Sequence, residues 1–229
     1  MTKIRPDSRL LSASAYVRQG GFLADIGTDH AYLPVYLCQE GIISRALACD
    51  IAEGPCLRAQ KTIKSAGLTE QITVVQTDGL QGLEDKGISD ITICGMGGEL
   101  IASILEKAPF IRDKNIRLIL LPMTKVAALR LFLSENGFLI EGETLSSVSG
   151  KIYTCICASF EGTPYTLSPF ALEFGAHLPA SPSPLLKTLM EKKKRDLKKR
   201  IEGAKKAGKD GEKDTLLLNE IERYLYDCR

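Results

Sequence analysis

The sequence predicts an α/β protein: a parallel sheet with crossover helices, closed by an antiparallel hairpin and followed by a pair of antiparallel helices. Three observations carry this. Apolar runs that end in polar or glycine-rich turns alternate with stretches of helical period. Two long segments around residues 138–160 meet at a short Ser/Gly turn. Beyond a stretch holding Pro164, Pro169, Pro179, Pro182 and Pro184 only helical periodicity is left. At 229 residues, 44% hydrophobic and 25% charged, the chain exceeds a typical domain of ~100–150 residues. The expected division is a sheet domain over 1–163 and a helical appendage over 164–229.

Each element has a local reason. Asp7 can cap a leading helix that carries Leu10, Leu11, Ser14 and Val17 at helical spacing and runs through Gln19 to a stop at Gly20. FLADI (22–26) is a short buried strand, and GTDHAY turns into a helix that tolerates Pro34 only in its first turn. ALACD (46–50) is the second strand. A helix opens at Pro55 and stops at Gly67. QITVVQ (71–76), DITIC (90–94) and IRLILL (116–121) supply three more strands, and a helix over 124–136 stops at Gly137. FLIEGETLSS and KIYTCICASF form the terminal hairpin. In the appendage, Leu186, Met190, Leu197, Ile201 and Ala204 stripe one helix, and Leu217, Leu218, Ile221 and Leu225 stripe the next, with GKDG (208–211) as the turn. Two narrow stripes joined by a short turn bury each other in an antiparallel pair, so a monomer is expected.

The formal charge of +2 conceals a division. Residues 1–186 hold 16 basic and 19 acidic side chains, residues 187–213 hold 12 and 5, and residues 214–229 hold 2 and 4. A solvated helix face is the commoner origin of a Lys-rich run, but a block this dense also suits a polyanion. Seven cysteines (Cys38, Cys49, Cys56, Cys94, Cys155, Cys157 and Cys228) without a C-x-x-C pair read as reduced thiols, mostly buried. No apolar run reaches the ~18–20 residues of a membrane span, and the start lacks a signal-peptide stretch, which predicts the cytoplasm and no membrane. His30 and His177 are too few and too far apart for a metal site, so no metal is expected.

Ligands of parallel α/β sheets bind beyond the carboxyl ends of the strands. Four such ends carry notable residues: Asp25-Ile26-Gly27-Thr28-Asp29-His30, Asp50, Asp78-Gly79, and Gly95-Met96-Gly97-Gly98. A dinucleotide site wants G-x-G-x-x-G for close approach of pyrophosphate. Here only Gly27 is present, and Thr28 and His30 would crowd a pyrophosphate, so the loop suits a ligand without one, such as S-adenosylmethionine. Asp50, 23 residues after Gly27, is placed to accept from both ribose hydroxyls. Asp78 can accept from an adenine amine, and Asp25 can hold an ammonium directly or through water. Helix and turn capping is the competing account of Asp29 and Asp78. Gly95 through Gly98 reads as the floor of the transfer site, with Met96 against the cofactor's adenine or a target base.

At these residues the sequence resembles the bacterial tRNA (adenine-22-N1)-methyltransferase family. The matching stretches are ADIGTDHAYLPVYL, DIAEGP, TDGL, GMGGELI, LPMTKVAALRLFLSENGF and GKIY. The resemblance implies a Rossmann-like class I S-adenosylmethionine-dependent sheet with a C-terminal antiparallel coiled-coil domain. It implies that Asp25, Gly27, Thr28, His30, Asp50, Ile51, Asp78 and Gly79 line the cofactor, with Gly95 and Met96 beside the transferable methyl. Arg9 would reach the cofactor carboxylate or a tRNA phosphate, while Asp29, Met96 and Gly97 would form the catalytic set. Leu121, Thr62 and Val148-Ser149 depart from the family pattern. Attack by adenine N1 asks for positioning rather than a strong base, with Asp29 contacting the adenine amine. The target base would have to leave its stack. Lys192, Lys193, Lys194, Arg195, Lys198, Lys199, Arg200, Lys205 and Lys206 would follow tRNA phosphates. A non-catalytic RNA-binding protein of the same fold, and a nicotinamide-dependent oxidoreductase that lacks the usual glycines, are the alternatives.

Overall fold

A computed structural model describes residues 3–84 and 86–227. Contacts divide the chain into two compact units, Met1–Tyr165 and Thr166–Arg229. In the first, seven strands form one sheet: β1 (Phe22–Ile26), β2 (Arg45–Asp50), β3 (Ile72–Gln76), β4 (Asp90–Cys94), β5 (Arg117–Leu121), β6 (Phe138–Val148) and β7 (Lys151–Phe160). Their order is β3-β2-β1-β4-β5-β7-β6. The first five are parallel, while β7 runs antiparallel to both β5 and β6. The chain order reverses between β1 and β4, which opens a crevice at their carboxyl ends. Register places Asp25 between Ala48 of β2 and Thr92 of β4, near the carboxyl end of β1 and the crevice.

Helices α1 (Ser8–Ser14), α2 (Tyr32–Gln39), α3 (Glu53–Ala66), α4 (Gly98–Glu106) and α5 (Val126–Glu135) connect the strands. Their apolar faces cover β-branched and small strand residues; Leu23, Ala46, Ala48 and Ile119 meet Val35, Leu37, Ala59 and Ile63 in one buried cluster. The Asp7 carboxylate caps α1 as expected, accepting from the backbone N–H groups of Arg9 and Leu10. The helix is shorter than its periodicity suggests. Ser12 and Ser14 hydroxyls donate to the Arg9 and Leu11 carbonyls, and the next backbone bonds at Tyr16 and Val17 are tight i−3 turns. Serine competes for helix carbonyls in this way. The β6–β7 turn places both central residues, Ser149 and Gly150, at positive φ, the two-residue geometry that matches strand twist. Tyr165 ends the unit because its hydroxyl lies 3.2 Å from both the Ile140 N–H and the Phe138 carbonyl of β6.

The second unit holds α6 (Pro169–Phe174), a 3₁₀ turn at Leu178–Ala180, α7 (Pro184–Lys206) and α8 (Glu212–Asp227). Leu186, Met190 and Leu197 of α7 are buried, as are Leu217, Ile221 and Leu225 of α8. The short α6 lies inside the proline-rich stretch read as a break. Its signal was present: Ser168 accepts from the Ala171 N–H as N-cap, and Pro169 follows at the first helical position. Six described cysteines are free thiols; Cys228 lies outside the described residues. No described helix is long and apolar enough to cross a membrane. Among the described residues no group of three or more His, Cys, Asp or Glu side chains is arranged to hold a metal.

Candidate active site

Two cavities lie along the crevice at the carboxyl ends of the strands. One, of about 310 Å³, is mostly apolar and is lined by Ile26, Ile51, Leu80, Leu100 and Ile104, with Asp78 and Gly79 at its edge. The other, of about 460 Å³, is lined by Arg9, Asp25, Thr28, Asp29, His30 and Tyr32, among others. Gly27, Asp50 and Met96 line both, so these three residues form the junction.

Gly27 has a physical reason to be glycine. Its φ is +71°, and a Cβ there would run into the Met96 methyl group. On its N-terminal side Asp25 is 5% exposed. Its two oxygens accept from the Thr28 and Thr92 hydroxyls, each at 2.7 Å. Burial raises the Asp25 carboxyl from 3.8 to about 6, against the lowering effect of those two hydroxyls. With both oxygens already engaged, Thr28 serves as a partner of Asp25, and the acid presents its charge to the cavity through that pair.

The next residues form a strained loop. Asp29 (φ +48°) and Ala31 (φ +55°) are both left-handed without being glycine. The Asp29 N–H points to Asp50 Oδ2 at 3.4 Å, and the Asp50 Oδ1 accepts from the Ala52 N–H at 3.0 Å. Arg58 of α3 donates to Asp29 Oδ1 through Nε (3.0 Å) and Nη2 (2.5 Å). The other Asp29 oxygen lies 3.6 Å from His30 Nε2. The His30 ring stacks on Tyr32, centroids 5.0 Å apart. Across the cavity, Arg9 is held over the Tyr153 ring and donates to Asp7 Oδ2 through Nη2 at 2.6 Å. Each partner reinforces the other's charge: the Arg9 guanidinium helps hold the Asp7 carboxyl below its ordinary value although burial opposes it, and Asp7 raises Arg9.

The β4–α4 turn is fastened to the loop after β5. The Gly95, Met123 and Gly98 N–H groups donate to the Leu121, Met96 and Thr124 carbonyls. Gly98 sits so close to this loop that a Cβ would collide with the Lys125 carbonyl. Gly97, expected at the floor of the transfer site, instead pairs with Thr124 and is absent from both cavity walls. Leu121, noted above as a departure from the family pattern, is buried at the second cavity. The structure therefore brings together Arg9, Asp25, Gly27, Thr28, Asp29, His30, Asp50, Ile51, Asp78, Gly79, Gly95 and Met96 along one crevice. Sequence reasoning missed Tyr32 and the stripe of Leu100 and Ile104 on α4, continued by Lys107 just past its end. That stripe was legible as i, i+4, i+7 spacing running on from GMGG.

The basic run lies on α7, in the second unit. Lys193 pairs with Glu173 at 2.6 Å, Lys194 and Lys198 with Glu222 at 3.4 and 2.9 Å, Arg200 with Asp214 at 2.8 Å, and Lys206 with Glu202 at 2.7 Å. Lys192, Arg195 and Lys199 are exposed and form no ion pair among the described residues. Their spacing puts them on one face, away from the buried stripe. Lys205, near the end of α7, is also exposed and forms no ion pair among the described residues, so the run divides into a set tied within the helical unit, an outward face of Lys192, Arg195 and Lys199, and Lys205 apart from that face.

A parallel 3-2-1-4-5 sheet ending in an antiparallel 7-6 pair, with acids at the ends of β1, β2 and after β3, defines a Rossmann-like methyltransferase. A family model described as a methyltransferase domain matches residues 7–156. The tRNA (adenine(22)-N(1))-methyltransferase of Bacillus subtilis strain 168 is 36% identical over 158 residues, 69% of this chain and 66% of that protein. A Streptococcus pneumoniae structure, titled a putative tRNA (m1A22) methyltransferase in complex with S-adenosyl-L-methionine, is 32% identical, with a TM-score of 0.83 over 96% of this chain and 100% of that one. The M. capricolum TrmK complex with S-adenosyl-homocysteine is 28% identical, with a TM-score of 0.81 over 98% and 99% of the two chains. The chain belongs to the tRNA (adenine-22-N1)-methyltransferase family; its match to the Bacillus relative spans just under two thirds of that protein's length.

Proposed function

We propose that this protein methylates N1 of adenine 22 in tRNA, with S-adenosylmethionine as methyl donor. The observation that carries the reading is the pair of cavities joined over Gly27, one lined mainly by aliphatic side chains together with Asp78, the other carrying the charged side chains of Arg9, Asp25 and Asp29. The shape fits this cofactor. Ile51, 62% exposed, and Leu100 offer apolar surface to an adenine, Asp78 and Asp50 offer acceptors to its amine and ribose, and the Asp25 charge suits an ammonium. The donor supplies a sulfonium-bound methyl, an electrophile that needs no metal to accept a nitrogen lone pair. Residues 1–163 carry this chemistry.

The side chains act by placement. Adenine N1 has its lone pair free at neutral pH, so the site must orient the base and keep water out. Met96 closes the junction above Gly27. Asp29, with Oδ1 taken by Arg58, turns Oδ2 toward the cavity wall where a base amine would be met. His30 and Tyr32 give that wall a flat aromatic face, and Arg9 supplies the cation for a carboxylate or a flanking phosphate. Residues 164–229 hold the tRNA, with Lys192, Arg195 and Lys199 following its backbone without reading bases. The enzyme works as a monomer in the cytoplasm.

Incubation with labelled S-adenosylmethionine and unmodified tRNA, followed by a primer-extension stop assay, tests this reading. A stop at adenine 22 is the expected result. Cofactor binding without incorporation into any tRNA would replace the enzyme with a binding module of the same fold.

A further inference from the structure

Arg58 touches neither cavity, yet it grips a residue that lines one. Its Nε and Nη2 both donate to Asp29 Oδ1, at 3.0 and 2.5 Å. Asp29 needs such a hold. Left-handed backbone is tolerated by Asp better than by most L-residues but still costs relative to helical or extended backbone, and the loop adopts it at Asp29 and again, less favourably, at Ala31. Beyond Arg58, Asp29 has only long contacts among the described residues, its N–H toward Asp50 Oδ2 at 3.4 Å and its Oδ2 with His30 Nε2 at 3.6 Å. Arg58 therefore ties the first turns of α3, just beyond Asp50, to the loop between β1 and α2 that carries Thr28, Asp29 and His30.

The ion pair contributes little as a stabilising contact. The Arg58 and Asp29 side chains are 46% and 56% exposed, and exposed pairs have little effect on global stability. What distinguishes it is where its ends lie: one segment presents Asp50, the other presents Asp29 and His30, and the pair fixes their separation. It also divides the labour of the Asp29 carboxylate, binding one oxygen and leaving the second 3.6 Å from His30 Nε2.

We propose that Arg58 is a positioning residue for the cofactor and target-base site: it holds Asp29 in its left-handed conformation and aims its second oxygen, and through Asp29 it sets the loop against Asp50. This rests on the reading of the crevice as an S-adenosylmethionine site. The test is a double-mutant cycle of Arg58→Gln and Asp29→Asn, read by calorimetric binding of S-adenosylhomocysteine, with thermal melts of the same proteins. Each single variant should weaken binding about three- to tenfold, and the double variant should be no weaker than the worse single one. Arg58→Lys should recover part of the loss, because a point charge reaches Asp29 without the two-pronged grip. The coupling should shrink in 1 M KCl, as befits an exposed pair, while melting temperatures stay within about two degrees of wild type.

Wild-type binding of S-adenosylhomocysteine with no change in Arg58→Gln overturns the proposal and leaves the proposed function standing. So do independent, multiplicative effects of the two substitutions, or a loss of melting temperature without loss of affinity. Failure of the wild-type protein to bind S-adenosylhomocysteine would instead remove the reading of the crevice on which it rests.

Discussion

Replacing Asp25 by Asn should make the protein more stable at pH 8 and worse at holding its cofactor. The carboxyl sits at about 6 in the fold against an ordinary 3.8, with burial as the main cause. One pH unit is worth about 1.4 kcal/mol, so keeping this group ionised at pH 8 destabilises the fold by about 3 kcal/mol. The sign follows from proton binding. Between pH 3.8 and about 6 the folded chain binds the proton more tightly than the unfolded one, so the Asp25 contribution falls as pH rises through that window and stays low above it. Asparagine is neutral throughout and nearly the same shape. Of the Thr28 and Thr92 hydroxyls that now donate to the two Asp25 oxygens, one can go on donating to the Asn carbonyl oxygen while the other turns to accept from its NH2 group. Urea melts at pH 4 and pH 8 test this. The variant should match wild type at pH 4 and exceed it by about 1–3 kcal/mol at pH 8. Affinity for S-adenosylhomocysteine should fall, and its rise in wild type between pH 5 and 8 should flatten. A variant destabilised equally at both pH values would refute the argument, because the buried charge would then carry no strain.

Three further outcomes are expected. Gly27→Ala places a Cβ against the Met96 methyl at φ +71°, and should cost about 1–2 kcal/mol of backbone strain and at least tenfold in S-adenosylhomocysteine affinity by calorimetry; adding Met96→Ala should return the packing part only. Substituting Lys192, Arg195 and Lys199 together by Ala should lower the slope of log K for tRNA against log salt by about 2–3, taking ~0.7–0.9 per phosphate contact, with cofactor binding unchanged; filter binding at several KCl concentrations reads it. Arg130→Leu should cost about 3–5 kcal/mol in urea melts, because Arg130 and Glu143 form a buried pair at 2.7 Å with side chains 1% and 0% exposed, and adding Glu143→Leu should recover most of that loss.

The sequence by itself determined the seven strands, the Asp7 cap, the helical hairpin and the four strand ends that carry chemistry, because these follow from local periodicity, capping and turn residues. It also determined that Gly27 and Gly98 are glycines, but only the tertiary structure decided why: Met96 lies over one and the Lys125 carbonyl against the other. The same holds for charge. The block on α7 is visible as composition, yet packing against acids of α6 and α8 divides it, tying Lys193, Lys194, Lys198 and Arg200 and leaving Lys192, Arg195 and Lys199 outward. Asp29 and Arg58 stand 29 residues apart on elements whose own patterns do not mention each other. A crossover helix brings them within hydrogen-bond reach, and contact between segments distant in the chain is the quantity that sequence periodicity does not encode.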